Sequence, residues 1–133
     1  MRIRWSLILP AAALTALAGV AAAHHSFTAT YFEDQTMEIE GKLLQFMFRN
    51  PHSFVHLEAP DEKGELHRWA VEWGGAGQLA GQGVTNQTLR VGDVVSITGN
   101  PGRDPSDHRL RMQYLKRKSD GFEWGRNPGE TFN

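Results

Sequence analysis

The sequence predicts a small all-β domain, and three observations carry that prediction. Five stretches read as strands: 52–58, 66–73 and 110–116 alternate between two faces, the period of a strand with one buried side, and 37–48 and 94–98 are apolar or β-branched runs. Gly, Pro, Asn and Asp cluster between these stretches and supply turns. A single short segment, Ala76 to Gly81, reads as helix, and it falls between the third and fourth strands.

The chain has 133 residues and begins with a different pattern. Met1 to Arg4 is basic, Trp5 to Val20 is apolar, and Ala21, Ala22 and Ala23 are small. This predicts a secretory signal peptide over 1–23 and a periplasmic or secreted product starting at His24. The competing reading, an uncleaved membrane anchor, ranks behind it because Pro10 and the Ala-x-Ala ending favour cleavage. No membrane span is expected after the leader.

Residues 24–35 are polar and aromatic without a period and predict an extended N-terminal arm that Tyr31 and Phe32 pin to the body. The barrel domain is expected over 36–118. Its first strand, Met37 to Phe48, is long, and Gly41 within it predicts a bulge or sharp bend. Arg49, Asn50 and Pro51 turn the chain into a second strand, His52 to Glu58, with His52, Phe54, His56 and Glu58 on one face and Ser53, Val55 and Leu57 on the other. Pro60, Asp61 and Gly64 make a hairpin loop. In the third strand His67, Trp69, Val71 and Trp73 form the heavier apolar face and are expected inward.

Gly74 and Gly75 end that strand, Leu79 anchors the short helix, and Arg90 to Asp93 turns into the β-branched fourth strand, Val94 to Thr98. After a polar loop, Leu110, Met112, Tyr114 and Lys116 alternate along the fifth strand. Residues 119–133 read as a polar, loosely docked tail in which Trp124 covers an open barrel end. Five strands with a helix between the third and fourth is the order of an OB-fold-like barrel.

Bulk properties narrow the function classes. Without cysteine there are no disulfides, thiolate metal sites or thiol nucleophiles. Loss of Arg2 and Arg4 with the leader takes fourteen basic residues to twelve against fifteen acidic ones, a net charge of −3. That mild acidity predicts no nucleic-acid partner.

Ala23-His24-His25-Ser26-Phe27, Asn50-Pro51-His52 with His56 following, Trp69-Ala70-Val71-Glu72 before Gly74-Gly75, and Val94 through Gly99-Asn100-Pro101 occur together in this order. In these segments the chain resembles a family of small exported bacterial proteins known only as a domain of unknown function. The resemblance implies no particular activity.

Histidines are the residues most able to carry chemistry. A freed N-terminal His24 offers its α-amine and Nδ1 as a chelate, and His25 with His52 completes a nitrogen set that suits Cu(II). A frayed terminus that merely makes a readable cleavage site is the alternative. His56 is a weaker ligand, since strand rise sets its Cα roughly 13 Å from that of His52, and hydrogen bonding on a solvated sheet surface explains it as well. Glu72 is placed to orient an imidazole from behind. His67 and His108 read as core-edge and loop residues. Neither Ser26 nor Ser53 has an oxyanion partner in view, so the catalytic set is empty. The expectation is an exported binding protein for a metal ion or small ligand, Cu(II) first, with an envelope protein-interaction module as the alternative and a copper oxygenase behind both.

Overall fold

The structure, a computed structural model, describes residues 27–126. The chain divides into two compact units, 1–30 and 31–133. Of the first, residues 27–30 form one helical turn. The expected leader, the start of the arm and the end of the tail lie outside the described residues.

The second unit is an OB-like barrel. In chain order its elements are β1 (Met37–Met47), β2 (Phe54–Pro60), β3 (Leu66–Glu72), α1 (Ala76–Ala80), β4 (Val94–Pro101), β5 (Arg109–Arg117) and β6 (Glu123–Gly125). The sheet runs β3-β2-β1-β4-β5-β6, and β3 also pairs with β5. That last pairing is parallel and closes the barrel through Ala70↔Arg109, Val71↔Leu110 and Glu72↔Arg111. All other ladders are antiparallel.

The alternation read from the sequence sorts the side chains as expected in β2 and β3. Val55, Leu57, Ala59 and Val71 are fully buried, and Trp69 and Trp73 nearly so. Leu79 of α1, with Val84 and Leu89 from the segment that follows it, joins the same core. Burying such a set of branched and aromatic side chains supplies most of the drive to fold, at about 1.5–3 kcal/mol for each large one. Asn50 and Asn100 serve backbone groups: Asn50 Oδ1 accepts from Gly77 N at 3.2 Å, and Asn100 Nδ2 donates to Gln35 O at 2.8 Å.

Three expectations need correction. The irregularity in β1 falls between Leu43 and Gln45, while Gly41 stays in register opposite Val95. Gly41 instead permits a close approach of β2, because a Cβ there would sit 2.1 Å from Glu58 O. In β5 the inward face changes partway. Leu110 and Met112 point in, a register shift opposite Thr98/Gly99 follows, and Leu115 then joins the core cluster while Tyr114 is buried outside it and Lys116 is exposed. One extra residue on one strand of a pair moves every later side chain to the other face. Gly99 permits the pinch, since a Cβ would lie 2.2 Å from Arg111 O.

The third correction concerns the tail. Within the described residues it forms β6 against β5, and Phe122 and Trp124 pack on the core. Trp124 meets Trp73 edge to face, with ring centroids 5.0 Å apart, and its indole N–H donates to Gln82 Oε1 at 3.0 Å. Apolar area on two aromatics outweighs the polar composition around them.

Candidate metal centre

Asp61 stands in the hairpin between β2 and β3. Its Oδ1 accepts from Lys63 N at 2.8 Å and Glu65 N at 3.0 Å, so the turn fixes the carboxylate. Partial desolvation works against the charge there, but those two amides and the neighbouring His67 prevail and hold Asp61 below the usual carboxylate range. The other oxygen, Oδ2, lies 3.0 Å from His67 Nε2. His67 is the second residue of β3, brought beside Asp61 because the hairpin folds back on itself.

His108 arrives from elsewhere. It ends a 3₁₀ turn, Pro105–Asp107, in a left-handed conformation with φ 46, a region few non-glycine residues enter. Its carbonyl accepts from Ala70 N at 3.0 Å, at the β3–β5 seam. The imidazole then lies flat on His67, ring centroids 3.9 Å apart and planes 17° from parallel. Trp69 meets its edge at 5.1 Å.

The result is a compact donor set. One ligand atom each from Asp61, His67 and His108 lie within 4.8 Å of one another. Donors bound to one transition ion sit about 2.0–2.2 Å from it, so the two stacked rings must turn apart for their lone pairs to meet at a common centre. They border an open cleft of about 560 Å³, lined among others by Phe32, Met37, Trp69, Asp104 and Arg109. An ion held by three protein donors keeps coordination positions for water or a ligand.

The residues singled out in the sequence are placed differently. His24 and His25 lie outside the described residues. His52 Nδ1 forms a hydrogen-bonded pair with Glu72 Oε1. Glu72, itself buried, accepts at Oε2 from the Tyr31 hydroxyl at 2.6 Å and has Arg109 at 3.7 Å. Burial, then the Glu72 hydrogen bond, push the Tyr31 hydroxyl well above its usual range.

His56 is elsewhere on β2, its ring 6.4 Å from that of Phe54. Its Nδ1 is buried without a hydrogen-bond partner among the described residues. Burial first, then Arg68 and Arg49, hold its pKa below the usual value. His67 and His108, read as core-edge and loop residues, are the two histidines that come together. The spacing of Asp61 and His67 across a hairpin was a usable signal; that of His108 was not, because only the β3–β5 closure brings it there.

Residues 12–111 match the Family of unknown function (DUF6152), and the chain belongs to that family. Among solved structures, it is similar to a mitochondrial single-stranded DNA binding protein from S. cerevisiae, Rim1, at 13% identity and a TM-score of 0.47, over 65% of this chain and 96% of that one. No curated protein matches it. The expected exclusion of nucleic-acid partners is withdrawn. The exclusion rested on net charge, which is a sum over the chain and does not report how charge is distributed over its faces. Among the described residues no helix is long and apolar enough to cross a membrane.

Proposed function

We propose that this chain is an exported OB-like binding module that holds one divalent transition ion, Cu(II) first, between Asp61, His67 and His108. The observation that carries the reading is the convergence of two imidazoles and a carboxylate within 4.8 Å. Imidazole donors suit copper and zinc, and the order of divalent affinities favours copper at a nitrogen and oxygen site. A chain without cysteine offers no thiolate to redirect that preference. The basic and apolar start ending in Ala21-Ala22-Ala23 supports delivery to the periplasm or medium. The role is binding: the ion's remaining positions face a cleft where a small ligand can exchange.

Titration calorimetry with Cu(II) and Zn(II) tests this. His67→Ala and His108→Asn should each weaken binding by at least about 100-fold, more than losing a partner that only orients a ligand costs. Asparagine is chosen at 108 because it tolerates the left-handed backbone there, which separates loss of a ligand from loss of the turn. A version carrying one extra residue before His24 should bind as the processed chain does. Full affinity in the two histidine variants, with loss on N-terminal extension, would move the ion to a chelate at His24 and His25.

A further inference from the structure

Four of the eight arginines between residues 27 and 126 stand on the outer side of one part of the barrel. Outward side chains of β2 and β3 include Phe54 and His56, in register with Met47 and Gln45 of β1, and Arg68, whose guanidinium donates to Gln45 Oε1 at 3.1 Å. Arg109 and Arg111 continue the row across the seam, opposite Ala70 and Glu72. Arg49 enters from the β1–β2 turn with its guanidinium 5.4 Å from the centre of the Phe54 ring. The acids nearby are Glu72, buried under Tyr31 and His52, Glu33, which meets Arg111 at 3.2 Å, and the exposed Glu58 opposite Arg68.

At its centre two flat rings stand side by side, Phe54 and His56, with planes 18° from parallel. Burial, Arg68 and Arg49 favour the neutral imidazole. Rings of this kind, flanked by guanidinium groups that both stack and pair with phosphate, are the means by which sheets bind unpaired bases. β2 lies between β1 and β3, and β3 between β2 and β5. Their backbone groups are therefore engaged in ladders, so a peptide cannot add here as a further strand, and recognition falls to side chains.

We propose that this face binds single-stranded nucleic acid, bases lying against Phe54 and His56 and phosphates meeting Arg49, Arg68, Arg109 and Arg111. The inference is separable from the metal reading, because none of these residues is among the three proposed ligands and only Arg109 of them also borders that cleft.

Fluorescence anisotropy of a labelled oligothymidylate, titrated with the full chain in the presence of a chelator, tests it. Binding should weaken as salt rises, the logarithm of affinity falling by about 0.7 per neutralised phosphate for each unit of log salt. Phe54→Leu keeps an apolar side chain but removes the ring, and should lower affinity roughly 5- to 160-fold, the range for losing one stacked base. Arg49→Gln with Arg68→Gln, both at exposed positions, should weaken binding and flatten the salt slope without altering the melting temperature. No anisotropy change at about 100 µM chain, the weak end of non-specific binding, overturns the proposal. So does equal competition by duplex DNA or by poly-glutamate, the latter pointing to an acidic protein partner, and so does affinity that survives both sets of substitutions.

Discussion

Glu72 is satisfied from three sides, by the Tyr31 hydroxyl, the His52 ring and the Arg109 guanidinium, and the arrangement makes Tyr31 a sensitive residue. Tyr31→Phe removes a buried hydrogen bond to a charged acceptor, and should cost about 1.5–3 kcal/mol in denaturant unfolding. It should also change the response to alkali. A hydroxyl whose pKa is raised in the folded state lets only the unfolded chain ionise just above the usual value of 10.0, so stability is intact below that pH and falls as pH rises past it. The slope for one group is about 1.4 kcal/mol per pH unit, and the difference between wild type and Tyr31→Phe should show it. Parallel stability curves for the two chains above that pH would mean that Tyr31 is not held in this way. The sequence marked Glu72 as a carboxylate able to orient an imidazole, and it does contact His52; the Tyr31 contact was illegible, because 41 residues separate the partners.

At the scale of elements, the β3–β5 seam is the part of the barrel most open to control. It holds three residue pairs, and His67 and His108 lie on its two sides. An ion bound there ties β3 to the start of β5. Binding to the native chain alone stabilises it by about 2.7 kcal/mol at a hundredfold excess over Kd, so saturating Cu(II) should raise the melting temperature of the wild type and leave His108→Asn unmoved. Amide exchange at Ala70, whose N–H donates to His108 O, should slow with the ion. The register shift in β5 has its own test. Gly99→Ala places a methyl 2.2 Å from Arg111 O, and relieving that overlap should cost about 1–3 kcal/mol. A melting temperature equal to wild type would show that β4 and β5 part easily there.

For the whole molecule, the export proposal has a direct check. Sequencing the product released from cells should give His24 as the first residue, with copper in stoichiometric amount on gentle purification. A retained leader would place the barrel on a membrane instead.

The sequence by itself determined which five segments become the barrel strands, which faces of the second and third are apolar and where the short helix falls. These follow from a pleat of period two and from turn residues acting within a few positions of themselves. Tertiary structure alone decided how the sheet closes, where β5 changes its inward face, that the polar tail adds a strand, and that Asp61, His67 and His108 meet. Each of these depends on contacts between residues far apart in the chain, whose energies leave no local period to read.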